Sequence, residues 1–295
     1  MKKILPAASV IAAGVLWGII SFFISALSDA GMSAMQITFV RMAVAAPVML
    51  TAAVITCRRW LKLQLKDIWM FAGTGIVSIV LFNICYFYTM IHSEASIAVV
   101  LLYTSPVFIM LISAVFFKEK VTLSKLVALG MTFGGCVLVA GLSGGSGVTP
   151  FIVMTGLASG LFYGLYTIFG RIALQKYNSL TVTVYTFVFG LIGSAPMGDV
   201  AGTFRIISEQ PSLIFWCAGI GIICTILPYF LYTWGLARME SARAAITVAV
   251  EPLVGAVIGM TFYHENSSPA RLIGIALILS ALVVLNVKKP SEKEV

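Results

Sequence analysis

The sequence predicts an all-α polytopic membrane protein: ten transmembrane helices in two inverted five-helix repeats around a central cavity, with both termini cytoplasmic. Three observations predict it. The 295 residues are 60% hydrophobic and only 10% charged, with a mean hydropathy of +1.04, which leaves too little charge to solvate a globular surface of that size. Apolar runs of about 20 residues, enough to cross a hydrocarbon core of about 30 Å, recur along the whole chain. The chain also matches itself at a shift of 146 residues.

The runs fall at roughly 4–27, 33–56, 67–90, 94–116, 121–141, 150–173, 180–197, 212–237, 241–263 and 269–287. The net charge of +8 is explained by where the charges sit. With the N-terminus placed inside, 16 of the 19 Lys and Arg residues lie on the cytoplasmic side, among them Lys2, Lys3, Arg58, Arg59, Lys62, Lys66, Lys118, Lys120 and Lys125. Arg205 and Arg271 stay outside and Arg41 lies within a span. Such a bias sets topology, so the basic excess implies a lipid bilayer as partner and no nucleic acid.

The self-match needs no gap. Gly14 and Gly18 fall on Gly160 and Gly164, Trp17 on Tyr163, and Gly73 and Gly75 on Gly219 and Gly221. Tyr86 falls on Tyr232, Glu94 on Glu240, Pro106 on Pro252 and Glu119 on Glu265. The chain divides into a first repeat (1–141), a Gly-rich linker (142–149), a second repeat (150–287) and a tail (288–295). An odd number of spans per repeat places the two copies in opposite orientations. Inverted repeats of this kind characterise secondary transporters with a site near the midplane.

Taken in order, the first run follows Met1-Lys2-Lys3 and continues to Leu27, too long for a signal-peptide core, so it reads as a membrane helix. Its Gly14 and Gly18 suit close helix packing, and Trp17 lies near mid-depth. In the second, Arg41 either snorkels outward and bonds loop carbonyls or partners an anionic substrate group. The third carries Asn83, Tyr86 and Tyr88, and the fourth Tyr103, Thr104, Ser105 and Pro106, polar groups that line a cavity or bond across helices. The linker matches G-x-S-x-G, but a membrane helix precedes it where a nucleophile elbow needs a strand.

The sixth run brings Tyr163, Tyr166 and Thr167. A loop expected at 198–211 precedes the eighth, which holds Pro228, Tyr229, Tyr232 and Trp234. The ninth contains Glu251-Pro252. A lone acid in lipid costs about 2.5 to 3.5 kcal/mol on insertion scales and normally faces protein or a water-filled path. The adjacent proline frees a carbonyl one turn earlier. Cys57, Cys85, Cys136, Cys217 and Cys224 show no paired or metal-ligand spacing and read as small packing residues.

The segments Thr104-Ser105-Pro106-Val107 through Phe116-Phe117-Lys118-Glu119, and Val250-Glu251-Pro252-Leu253 through Phe262-Tyr263-His264-Glu265, resemble the drug/metabolite transporter superfamily. The resemblance is to its ten-helix EamA-type metabolite exporters, and Arg41 and Trp17-Gly18 fit it too. The resemblance implies a ten-helix basket, N-in and C-in, with a cavity lined by spans one, three, four, six, eight and nine. It also implies export of small metabolites, often amino acids or related amines. One departure is that Ser105 stands where the second half has Glu251, so acid chemistry cannot be symmetric.

The expected function is therefore secondary transport by alternating access, with no cofactor and no catalytic residues. Glu251 binds an ammonium group or carries a proton, Trp17, Tyr86, Tyr103, Tyr163, Tyr229 and Tyr232 contact the apolar part, and Asn83 supplies hydrogen bonds. Arg41 is a charge partner, and Pro106 and Pro252 are hinges. The alternatives are a membrane-embedded enzyme, a channel, or a carrier for nucleosides or sugar-derived metabolites. Against an enzyme, no base and nucleophile converge, and His264-Glu265-Asn266 lacks the second His of H-E-x-x-H. The sequence leaves the oligomeric state open.

Overall fold

A computed structural model describes residues 4–93, 95–140, 149–262 and 268–286. Glu94, the linker residues 142–148, His264, Glu265 and the tail at 288–295 lie outside them. Among the described residues every regular element is a helix, with no strand. Seven helices are long and apolar enough to cross a membrane: α1 (Ile4–Asp29), α2 (Ala34–Thr56), α3 (Leu65–His92), α4 (Ile97–Phe116), α6 (Pro150–Ala173), α9 (Leu213–Leu236) and α10 (Ser241–Phe262). Three shorter apolar helices are α5 (Leu123–Val139), α7 (Ser179–Ser194) and α11 (Pro269–Val284). The stretch expected as a loop at 198–211 instead contains a helix, α8 (Val200–Glu209). Its start is fixed by Asp199, whose carboxylate accepts from the Gly202 amide at 3.1 Å.

Local chemistry sets the helix starts. At α2, Ser33 and Gln36 form a reciprocal capping box. Thr149 accepts from the Ile152 amide at 3.3 Å with Pro150 following it, and Asn178 caps α7 at 2.9 Å through Thr181. The outward faces stay apolar: Ile55, Ile91, Val115 and Phe215 are all more than 70% exposed. Such a surface suits lipid and would be a liability in water.

The long helices are interrupted at equivalent places. α3 widens to a π-helix over Gly73–Leu81 and α9 over Ile222–Ile226. Each wide turn is serviced by a hydroxyl reaching five residues back, Ser78 to the Gly73 carbonyl at 2.8 Å and Thr225 to the Ile220 carbonyl at 2.9 Å. α4 breaks at Tyr103 and Thr104 before Ser105–Phe116 resumes, and α10 tightens to a 3-10 turn at Val248–Val250 before Glu251–Phe262. The prolines therefore stand at the second position of each resumed helix, where the missing N–H would have had no helical partner anyway.

Each break is buttressed by the first helix of the other half. A Cβ added at Gly14 would lie 2.8 Å from the Val248 carbonyl oxygen, and one at Gly18 2.8 Å from that of Glu251. At the positions 146 residues on, a Cβ at Gly160 would lie 3.1 Å from the Leu102 oxygen and one at Gly164 3.4 Å from that of Ser105. Glycine at these positions is what lets α1 and α6 reach the exposed backbone of the breaks.

The thirteen-residue spacing from Pro106 to Glu119 also acquires a cause. Glu119 follows Lys118, whose φ of 54° turns the chain after α4. Its carboxylate accepts from the amides of Ser241 at 2.8 Å and Ala242 at 3.3 Å. It thus caps the N-terminus of α10, which has no side-chain cap of its own. Beside it, Lys125 pairs with Glu240 at 2.8 Å. The two halves are locked together at this end of the bundle.

Candidate functional site

Where the two breaks approach α1, α6 and α9, the helices enclose a cavity of about 30 Å³. Its wall includes Trp17 from α1, Tyr103, Ser105 and Pro106 from α4, Tyr163 and Tyr166 from α6, and Tyr229 and Tyr232 from α9. The rings brace one another. Trp17 meets Tyr229 edge-on at 5.0 Å between centroids, Tyr166 meets Tyr229 at 5.0 Å, and Trp17 lies 5.6 Å from Tyr232. Such pairs contribute about 0.5–1.5 kcal/mol each beyond area burial, so the wall is pre-ordered.

Two crossed hydroxyl bonds lock α6 to α9 within this wall. Tyr166 Oη and Thr233 Oγ1 are 2.6 Å apart, and Thr167 Oγ1 and Tyr232 Oη 2.7 Å. The phenols of Tyr166 and Tyr232 are thus already engaged by protein, whereas Tyr163 Oη donates to Glu251 Oε2 at 3.3 Å, long for an O–H···O bond. That bond ties the acid of α10 to the cavity wall. A weak bond between a wall hydroxyl and a carboxylate can be exchanged for one to a bound cationic or hydroxyl group.

The residues singled out from sequence separate into two groups. Trp17, Tyr103, Tyr163, Tyr229, Tyr232 and Pro106 line the cavity. Glu251 is half-buried behind Tyr163 and off the lining, with Pro252 beside it. Asn83 is buried and gives its Nδ2 to the Ile79 carbonyl at 2.7 Å. Tyr86 packs against Phe82 at 5.6 Å and Phe87 at 5.8 Å. Arg41 donates from Nε to Thr225 Oγ1 at 3.0 Å, a third arrangement beside the two expected for it.

Sequence reasoning did not assign Ser78, Ile109, Ala245 or Val248 to the wall, where the structure places them, and it noted Tyr166 and Thr167 without giving them a site role. For Ser78 there was no local signal, because its inward position depends on the π-helical register. Val248 had a signal in the repeat, since it corresponds to Leu102 beside the first break. Cys136, Cys217 and Cys224 are buried and unbonded. No cluster of metal-ligating side chains occurs among the described residues.

The EamA-like transporter family matches the chain twice, over residues 5–141 and 150–287. A protein of Archaeoglobus fulgidus described as an uncharacterized transporter is 27% identical over 197 residues, spanning 65% of this chain and 67% of that protein. A probable terminal-alkyne amino-acid exporter of Streptantibioticus cattleyicolor is 22% identical over 224 residues, 75% of this chain and 74% of that one. A solved crystal structure shares the fold, with a TM-score of 0.78 over 95% of this chain and 96% of the other at 18% identity. With the family covering both halves of an all-helical, apolar-surfaced bundle, this chain belongs to the EamA-like transporter family of the drug/metabolite transporters and is a multi-pass membrane transporter of small molecules.

Proposed function

We propose that the protein exports small amphipathic metabolites, namely amino acids and related amines, across the inner membrane by alternating access. The observation that carries this reading is the aromatic cavity at the meeting of two symmetry-equivalent helix breaks, with the Glu251 carboxylate bonded to its wall through Tyr163. The aromatic wall suits an apolar side chain, Glu251 an ammonium group, and Arg41, held by Thr225 on the same helix that supplies Tyr229 and Tyr232, a carboxylate. The relative described as an amino-acid exporter supports the solute class.

The seven long and three shorter apolar helices are read as ten crossings in two inverted halves, and the basic-residue bias supports both termini inside. A volume of about 30 Å³ holds a water or two and no metabolite, so the helices must part for a substrate to enter. The breaks before Pro106 and Pro252 are the natural points of bending, because each already lacks part of its helical bonding. Proton coupling through Glu251 results if the carboxylate exchanges Tyr163 and substrate for a proton.

Proteoliposomes loaded with unlabelled amino acids and exposed to labelled ones test the proposal. Saturable counterflow is expected from a carrier, whereas a channel gives none. Glu251→Gln is expected to abolish the pH dependence of flux. Wild-type flux and pH dependence in that variant would remove Glu251 from the mechanism.

A further inference from the structure

A second pocket, of about 470 Å³, shares no lining residue with the aromatic cavity and opens where α2 ends, α3 begins and α6 ends. Its charged lining is Lys62, Lys66, Lys176 and Asp67. The Asp67 carboxylate is fully used. Lys176 Nζ lies 2.7 Å from Oδ1, and Tyr177 Oη donates to Oδ2 at 2.7 Å while accepting from the Gln64 amide at 3.2 Å. Partial burial, reinforced by the neighbouring Asp67, raises the Tyr177 phenol, which therefore stays a donor. Lys62 and Lys66 are exposed and make no hydrogen bond or ion pair with any other described residue. Three lysines share one carboxylate, so this concave site keeps a net positive charge.

The flanks of this pocket are apolar. Trp60 is 48% exposed, Leu65 83% and Trp69 50%. Tryptophan and leucine presented around a basic hollow at the end of membrane-spanning helices suit the headgroup region of a bilayer rather than bulk water. We propose that this pocket binds the phosphate headgroup of an anionic phospholipid. Lys62 and Lys66 take the phosphate oxygens, and Trp60 and Leu65 lie along the glycerol and upper acyl region. Because Lys62 and Lys66 come from the first half and Lys176 and Tyr177 from the second, the bound lipid bridges the two halves beside their Asp67–Lys176 ion pair.

The test uses the full chain, purified in detergent, with unfolding temperature and retained lipid mass measured after adding phosphatidylglycerol, phosphatidylcholine or inorganic phosphate. Phosphatidylglycerol is expected to bind and to raise the unfolding temperature, and the other two to do neither. The Lys62→Gln/Lys66→Gln variant is expected to match the wild-type unfolding temperature without lipid but to lose at least about tenfold in phosphatidylglycerol affinity, the loss expected for two charge-assisted contacts. Lys62→Arg/Lys66→Arg keeps it. Undiminished affinity in the Gln variant overturns the proposal, as does an equal effect of phosphatidylcholine. Equal protection by inorganic phosphate overturns the lipid as the source of the headgroup.

Discussion

Replacing Gly14 by alanine adds one methyl where α1 lies against the break in α10. The new carbon would stand 2.5 Å from Val250 Cγ1 and 2.8 Å from the Val248 carbonyl oxygen. Comfortable separation is about 3.5 Å, so the two helices must part by roughly 0.7 Å at the carbonyl. Val250 is β-branched and stiff, and the carbonyl belongs to the backbone of the break, so neither can simply rotate away. Overpacking of this kind costs about 1–3 kcal/mol, offset by the roughly 0.5–1 kcal/mol that alanine contributes over glycine inside a helix. The net expectation is a loss of about 1 kcal/mol, within a range of about 0–2.5 kcal/mol.

Gly160→Ala should lose a similar amount, because its Cβ would meet Thr104 Oγ1 at 2.7 Å and the Leu101 oxygen at 2.9 Å. Gly164→Ala should lose less, since its nearest neighbour is the side chain of Ile109 at 3.0 Å. Gly134→Ala meets nothing within 4 Å and should gain about 0.5–1 kcal/mol. Thermal unfolding of the four variants in detergent, followed by size-exclusion recovery, ranks them. Gly134→Ala should stand above wild type and Gly14→Ala and Gly160→Ala at the bottom. If either of those two matched or exceeded wild type, the buttressing of the breaks by glycine would be refuted.

Two further outcomes are expected. Glu119→Ala removes both acceptors from the start of α10 and should lower stability by about 1–3 kcal/mol, while Glu119→Gln, which keeps one carbonyl acceptor, should lose about half as much; equal unfolding temperatures for the two would argue against a capping role. Tyr166→Phe leaves Thr233 Oγ1 buried without its 2.6 Å partner and should cost about 1–2 kcal/mol, whereas adding Thr233→Val should recover part of the loss, as a double-mutant cycle on unfolding would read.

The self-match at 146 residues made the breaks legible before any geometry, because Pro106 and Pro252 occupy corresponding positions. The same match could not tell what Glu119 does. Its spacing from Pro106 was visible, but the amides it caps belong to Ser241 and Ala242, more than a hundred residues away. The aromatics divide in the same manner. Trp17, Tyr103, Tyr163, Tyr229 and Tyr232 reach the wall, while Tyr86 stays with Phe82 and Phe87. In helices apolar on every side, periodicity carries little information about which face turns inward. Asn83 illustrates the competing pull of the backbone, its amide being taken by the Ile79 carbonyl at the end of a π-helical stretch.

Sequence by itself determined the class of this protein. Composition and run length demand lipid around an all-helical chain, and the repeat supplies paired breaks and paired glycines, because these are properties of covalent order. Only the tertiary structure decided which groups converge. The π-helical turns rotate the helical segments beyond them, α1 and α6 each close against the break of the opposite half, and Tyr163 hydrogen-bonds to Glu251. Those outcomes depend on contacts between residues roughly 60 to 230 positions apart and on helical registers, which no local pattern in the chain encodes.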